Sequence, residues 1–189
     1  MRAPPLLQAD SARPDVGAVD AGSRAEHDEA VTANDSASSN TPRRATTADA
    51  AIVAQMLHDF NTEFGTPSPG PDELRTRLAS LLAGDDVVVL LVGEPATGVA
   101  VLSFRLNVWY KGPVAILDEL YVRPGLRGHR LGSALLAAAC DLVRNRGGEL
   151  IEINVDGEDV DARRFYEARG FSNTEPNHTD ALLYYYREV

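Results

Sequence analysis

Apolar residues recur along this chain at two different spacings, and the spacings predict different elements. Between Thr46 and Phe64 they recur every three or four residues, as in a helix with one buried face, and Thr46 and Asp49 form a partial capping box at its start. A second, leucine-rich repeat of this kind follows between Leu74 and Leu82. The segment Val87–Val92 is continuously apolar, which is typical of a buried strand.

Turn residues separate further strands and helices after this point. The predicted order is a short edge strand at 41–45, two helices, strands at 87–92, 99–109 and 114–122, a helix at 131–146, a strand at 150–155, a helix carrying Tyr166, a short strand near Phe171 and a last strand at 181–186. The order β-α-α-β-β-β-α-β-α-β-β predicts a mixed α/β (α+β) domain over residues 41–189.

Composition sets the N-terminal part of the chain apart. Residues 1–40 are rich in Ala, Asp, Ser, Pro and Asn and contain almost no large apolar side chains. Such a segment cannot bury enough surface to offset the entropy lost on ordering. We therefore expect a disordered tail over residues 1–40.

Charge and cysteine content exclude several classes of protein. The formal net charge is −10 at pH 7, whereas nucleic acids and anionic membranes require a basic face. The single cysteine, Cys140, excludes an intramolecular disulfide, and no His/Asp/Glu spacing suggests a metal site. Apolar runs are shorter than the ~18–20 residues that span a bilayer, and no secretory signal is recognisable. We expect a cytoplasmic protein without a metal, bound to neither nucleic acid nor membrane.

A basic loop with proline and glycine joins the strand 114–122 to the next predicted helix, which begins near Leu131. Its charged side chains are those of Arg123, Arg127 and Arg130. A helix start directs backbone N–H groups and the positive end of the helix dipole to one place, which suits an anion such as a pyrophosphate. An ordinary basic loop that caps a surface helix would have the same sequence.

Residues 127–132 read Arg-Gly-His-Arg-Leu-Gly and resemble the Gln/Arg-x-x-Gly-x-Gly/Ala motif of the GNAT superfamily, the acyl-CoA-dependent N-acetyltransferases. Arg127 and Gly132 match, but Arg130 stands where the motif has its middle glycine. Because glycine tolerates a positive φ and arginine does not do so easily, we expect Arg130 to have a negative φ and to turn its side chain away from the pyrophosphate.

A second segment resembles the same superfamily, whose chains commonly read Asn-x-x-Ala-x-x-Phe-Tyr-x-x-x-Gly-Phe after the fifth strand. Here Asp159 stands at the Asn position, and the matching residues are Ala162, Phe165, Tyr166, Gly170 and Phe171. The resemblance covers about residues 43–187. It implies the GNAT fold, a central mixed and mostly antiparallel sheet of six to seven strands with about four flanking helices.

The resemblance also implies acetyl-CoA as acetyl donor and a primary amine of a small molecule or protein as acceptor. In the superfamily the fourth strand splays from the fifth and leaves its backbone free to bind the coenzyme. The implied coenzyme contacts are Leu120, Tyr121, Val122, Arg127, Gly128, His129, Arg130, Leu131, Gly132 and Ser133. A homodimer is compatible with the resemblance. Candidates to line the acceptor cleft are Asn61, Glu63, Trp109 and Tyr110.

Acetyl transfer needs a group that takes a proton from the amine and a group that stabilises the departing thiolate. Glu119 is the candidate base, acting directly or through a water, while Asp118 should face the opposite side of a regular strand. The resemblance implies Tyr166 as the acid. Glu119 could instead be a solvated or salt-bridged carboxylate and Tyr166 a packed aromatic, in which case the domain would be a catalytically silent acyl-CoA-binding protein with a sensing or assembly role.

Overall fold

The computed structural model describes residues 40–188, and the predicted tail therefore lies outside the described residues apart from residue 40. The chain divides into two units, whose described parts are residues 40–154 and 155–188.

The first unit contains a five-stranded sheet with strand order β1-β2-β3-β4-β5. The strands are β1 (Arg43–Arg44), β2 (Val87–Val92), β3 (Gly98–Arg105), β4 (Val114–Val122) and β5 (Leu150–Ile153). Its helices are α1 (Ala50–Glu63), α2 (Pro71–Leu81) and α3 (Leu131–Asn145), with short 3₁₀ helices at Thr47–Asp49 and Pro124–Leu126. The second unit contains α4 (Val160–Glu167).

The sheet is mixed and mostly antiparallel, as predicted. Strands β1 to β4 pair antiparallel in sequence order, and β4 pairs with β5 in parallel. A parallel pair needs a long crossover connection, which α3 provides.

The expected number of six to seven strands is wrong. The strands predicted near Phe171 and at 181–186 are absent from the described part of the second unit, where one isolated bridge joins Thr174 to Ala181. The aromatic and leucine side chains of 182–186 are exposed. A strand propensity expresses packing against neighbouring strands, and beyond this bridge the segment has no ladder in that unit to stabilise it.

The first face of the sheet packs against α1 and α2. Val53 and Met56 of α1 are fully buried in one cluster with Val89, Val99 and Tyr121 of the sheet. Helix α3 contacts β2, β3 and β4, and its buried side chains are those of Leu131, Leu135, Leu136, Ala139 and Val143. The alternation of side chains along a strand assigns the two helical layers to opposite faces.

The start of the first helical segment confirms the predicted capping box. The Thr46 N–H donates to Asp49 Oδ2 over 2.7 Å, and the Arg43 guanidinium donates to both Asp49 oxygens over 2.7 and 3.0 Å. These bonds, that of Arg43 first, hold the pKa of Asp49 well below its usual range.

Two glycine-containing turns pack directly on each other in the first unit. Gly112 lies between β3 and β4, and a Cβ added to it would overlap the carbonyl group of Gly147, which follows α3. A Cβ on Gly148 would lie 2.7 Å from the carbonyl oxygen of Pro113. Gly112 and Gly148 therefore require glycine, because neither position has room for a Cβ.

Among residues 40–188, no helix has both the length and the apolar character needed to cross a bilayer.

Candidate active site

The end of β4 has a free edge. Pairing between β4 and β5 covers only Val114 to Leu117, which lie opposite Leu150 to Ile153. The β4 residues 118–122 continue beyond this ladder, so their backbone groups on that side have no partner strand among the described residues. Leu120, Tyr121 and Val122, which the resemblance assigns to the coenzyme, lie in this stretch.

The basic loop leads from the free edge to the start of α3, which begins at Leu131 as predicted. Gly128 has a φ of 81°, and a Cβ added there would meet nothing within 4 Å. The Arg130 side chain makes no capping hydrogen bond at the N-terminus of α3. The first turn of a helix has N–H groups without intrahelical acceptors, so Leu131, Gly132 and Ser133 present the geometry expected of an anion site.

Arg130 departs from the prediction. Its φ is 64° and its ψ is 8°, so the residue is left-handed rather than of negative φ. It occupies the position just before α3, where the motif's glycine would give the same conformation without strain. Arginine therefore stands here in the left-handed backbone conformation that glycine would adopt easily. An L-residue in this region costs about 1–2 kcal/mol.

Arg127 is fixed by three bonds. Its Nε donates to the Val122 carbonyl oxygen over 3.0 Å, and its two terminal nitrogens donate to the two oxygens of Glu63 over 2.7 and 2.9 Å. The guanidinium also lies 5.7 Å from the centre of the Tyr121 ring. Glu63, predicted as a candidate for the acceptor cleft, is the last residue of α1 and is bonded to Arg127 of the basic loop.

Tyr121 lies beneath this ion pair and belongs to the core. Its side chain is buried, and its ring lies 5.2 Å from that of Phe60 of α1. Burial first, and then the carboxylates of Glu63 and Asp59, raise the pKa of the Tyr121 hydroxyl. The Tyr121 ring is therefore part of the core between β4 and α1.

His129 is oriented by its own loop, since its Nδ1 lies 3.2 Å from the Leu126 carbonyl oxygen and 3.1 Å from that of Arg127. The other ring nitrogen, Nε2, is the one that could contact a phosphate.

A β-bulge lies at the two adjacent carboxylates of β4. Leu117 is paired with Leu102 and Glu119 with Val101, so Asp118 is an extra residue on β4. The Ser103 hydroxyl and N–H donate hydrogen bonds to the Asp118 carboxylate. Because side chains alternate along a strand, Ser103 lies on the same face of β3 as Val101. The expectation that Asp118 faces away from Glu119 is therefore wrong, because the strand is not regular at this point.

Both carboxylates are perturbed toward the neutral form. Partial burial raises the pKa of Glu119, and the neighbouring charge of Asp118 raises it further. Partial burial also raises the pKa of Asp118, against the opposing effect of Ser103. A carboxylate with a raised pKa is a stronger base, which is the property that a proton acceptor in catalysis requires.

Tyr166 belongs to the second unit. Its helix α4 begins after Asp159, whose side chain accepts a hydrogen bond from the Ala162 N–H over 2.9 Å, so Asp159 caps the helix. The Tyr166 ring lies 5.2 Å from Phe165 and 5.7 Å from Phe171. Gly170 has a φ of 85°, which confirms the predicted left-handed residue after the helix.

The remaining predicted residues have ordinary surroundings. Asn61 donates from Nδ2 to the Pro67 carbonyl oxygen over 3.0 Å, and the Trp109 side chain is 59% exposed between β3 and β4. In the described part of the chain, no three His, Cys, Asp or Glu side chains are grouped so that they could hold a metal ion.

The free edge of β4, the loop and Glu119 lie on adjoining stretches of one strand and its continuation. The profile of the acetyltransferase (GNAT) family matches residues 53–171, and the chain belongs to this family.

Comparison with individual proteins agrees with this assignment. The chain is 37% identical over 91 residues to a mycothiol acetyltransferase of Beutenbergia cavernae, but this match spans 47% of the chain and only 29% of that enzyme. It is 33% identical over 144 residues to an aminoglycoside N(6′)-acetyltransferase of Stenotrophomonas maltophilia, which spans 74% of the chain and 90% of that enzyme.

A solved structure is more similar. The crystal structure of an inferred acetyltransferase from Arthrobacter sp. FB24 is 74% identical and covers 87% of this chain and 100% of its own, with a TM-score of 0.76.

Proposed function

We propose that the protein is an acetyl-CoA-dependent N-acetyltransferase that acts on a primary amine. The observation that carries this proposal is the free edge of β4 at residues 118–122, which continues into a basic loop at the N-terminus of α3. An extended chain of amides that ends in a pyrophosphate matches such an edge and loop in both shape and charge.

The residues present fit the coenzyme. The open space beside Gly128 allows a phosphate to approach the backbone closely. Leu131, Gly132 and Ser133 supply N–H groups at the start of α3, and Arg130 has no charged partner within residues 40–188. Leu120 and Val122 supply backbone groups along the edge. Acetyl-CoA, when bound there, supplies an acyl group activated as a thioester.

Glu119 serves as the base in this proposal. A primary amine is protonated near neutral pH, and its nitrogen can attack only after it loses a proton. Glu119 accepts that proton, directly or through a water, and the nitrogen then forms its bond to the acyl carbon as the carbon–sulfur bond breaks. The second proton that the nitrogen loses on becoming an amide passes to solvent. The raised pKa of Glu119 brings its proton affinity closer to that of an amine.

Tyr166 is the proposed acid, and it donates its hydroxyl proton to the sulfur that leaves. This role rests on the match of its helix to the family pattern. The packing of its ring against Phe165 and Phe171 supports a fixed orientation of the hydroxyl.

The acceptor is a primary amine on a small molecule or a protein. Two relatives of the chain are named for mycothiol and aminoglycoside acetylation, so an aminoglycoside and other small amines belong in the first set of tests. The carboxylates of Asp118 and Glu119 would attract a cationic acceptor.

A thiol-release assay with acetyl-CoA and a panel of polyamines, aminoglycosides, amino acids and basic peptides tests the proposal. Gly128→Asp places a carboxylate against the phosphate and should abolish transfer, whereas Gly125→Asp adds the same charge at an open position of the same loop and should reduce transfer far less. Calorimetric binding of CoA without transfer to any amine would favour the silent acyl-CoA-binding protein. Absence of CoA binding would overturn both.

A further inference from the structure

The ion pair between Glu63 and Arg127 connects two parts of the first unit that are 64 residues apart in sequence. Glu63 is the last residue of α1, and Arg127 is the first residue of the phosphate-loop motif. The side chains are 28% and 44% exposed, respectively. Exposed ion pairs contribute little to stability. We therefore looked for a role of this pair other than stabilising the fold.

The bonds that join Glu63, Arg127 and Val122 are called the clasp below. Each terminal nitrogen of Arg127 donates to a different oxygen of Glu63, and this two-bond arrangement defines orientation as well as distance. The third bond, from Arg127 Nε to the Val122 carbonyl oxygen, spans the loop from its far side to the end of β4. The guanidinium is thus held at three points.

The clasp has a rigid base. Tyr121 is buried below it and contacts Phe60 of α1, one turn before Glu63. Phe60 also meets Phe64, with ring centres 5.2 Å apart. Because these rings fix the end of α1 against β4, the Glu63 carboxylate has a defined place from which to hold Arg127.

We infer that Glu63 is a positioning residue for the coenzyme loop, which it orders through Arg127 before the coenzyme binds. The inference rests on the proposed function. The loop closes on itself between Val122 and Arg127, and this closure sets the direction of the N–H groups from Gly128 onward. A preordered loop loses less entropy on binding, which appears as affinity.

The alternative is that phosphate competes with Glu63 for Arg127, in which case the carboxylate opposes coenzyme binding. The two cases predict opposite signs. Loss of Glu63 weakens coenzyme binding if it positions the loop and strengthens it if it competes.

Calorimetry with CoA on the full chain measures the sign directly. Glu63→Ala should weaken CoA binding by about tenfold, raise KM for acetyl-CoA and leave kcat nearly unchanged. Glu73→Ala removes a comparable exposed pair, in which Arg77 contacts Glu73 over 3.0 Å on α2, and should leave CoA affinity unchanged. Glu63→Asp keeps the charge and should recover part of the lost affinity.

Arg127→Lys provides a second variant, since it keeps the positive charge and loses the two-bond geometry. It should weaken CoA binding to a similar extent, and combining it with Glu63→Ala should add little, because each removes the same clasp. Hydrogen exchange of the amides between 123 and 130 should accelerate in Glu63→Ala without CoA present, while exchange in α3 stays unchanged.

Unchanged or tighter CoA binding by folded Glu63→Ala, or unaltered exchange in the loop, would overturn the clasp and leave the proposed function standing. A wild-type protein that does not bind CoA would instead remove the proposed function and this inference with it.

Discussion

Glu119 lies directly opposite Val101 on β3, although Leu117 lies opposite Leu102, so one residue of β4 has no counterpart. This bulge places the Glu119 carboxyl under the electrostatic influence of Asp118. Bulges are common beside active sites because they redirect a side chain without disturbing the sheet. Burial first, and then the charge of Asp118, raise the pKa of Glu119, the proposed base.

Replacement of Glu119 tests the base. Glu119→Gln should lower the rate of acetyl transfer by about 10²–10⁴-fold at acidic to neutral pH. The deficit should shrink as pH rises, since hydroxide then deprotonates the amine without help. Asp118→Asn removes the neighbouring charge and should shift the acidic limb of the rate profile to lower pH. A Glu119→Gln profile that superimposes on that of the wild type would exclude Glu119 as the base.

The same variant should be at least as stable as the wild type at neutral pH. A carboxyl group whose pKa is raised in the folded protein contributes stability at low pH and loses that contribution as pH rises through the folded pKa. Glu119→Gln cannot ionise, so its stability relative to the wild type should increase from acidic to neutral pH. Urea unfolding at several pH values measures this, and a relative stability that falls with pH would contradict the assigned shift.

Arg130 offers a test of backbone strain. Arg130→Gly should be more stable than Arg130→Ala, with a free energy of unfolding larger by about 1 kcal/mol. Both variants lack the guanidinium, but only glycine relieves the strain of the left-handed conformation. The comparison between the two variants cancels the lost charge. Equal stability of the two would mean that the backbone at 130 relaxes to another conformation in solution.

Tyr166→Phe separates a catalytic from a packing role. The ring contacts with Phe165 and Phe171 do not require the hydroxyl and should remain in the variant, and its melting temperature is measured as the control for folding. Single-turnover transfer should fall by about 10²-fold if the hydroxyl protonates the thiolate, with CoA affinity unchanged. A stable variant with full activity would remove Tyr166 from the mechanism.

Asp49 should make the stability of the first unit sensitive to acid. Arg43 and the Thr46 N–H favour its charged form, so its contribution is present at neutral pH and is lost as pH falls through the depressed folded pKa. Asp49→Asn should cost about 1 kcal/mol at neutral pH through the weakened cap, and the difference should narrow in strong acid. Denaturant unfolding across pH gives this comparison, with Asp72→Asn, in an exposed pair, as control.

The sequence predicted correctly those helices and strands whose formation depends on residues close together in the chain. The apolar spacing of α1, the continuous run of β2 and the start of α3 at Leu131 all follow from side-chain periodicity and turn residues. The capping role of Asp49 and the left-handed Gly170 were equally readable, since each depends on neighbours a few residues away.

Contacts between segments that are far apart in the chain could not be predicted from the sequence. The bulge at Asp118 arises from the register between two strands, which the sequence of β4 alone does not specify. The pairing of Glu63 with Arg127 depends on where α1 ends relative to the loop, and from the sequence Glu63 is only a candidate to line the acceptor cleft. At Arg130 the side-chain preference was overridden by the geometry that the loop imposes.

The contact between Gly112 and Gly147 also limits how this protein can be redesigned. Since a Cβ on Gly112 would overlap the Gly147 carbonyl group, a library that randomises residues 110–113 would consist largely of misfolded members. The exposed segment from Leu106 to Trp109 has no such restriction, with Leu106 and Val108 each 89% exposed. Directed evolution of acceptor preference should therefore diversify that segment and keep both glycine turns constant.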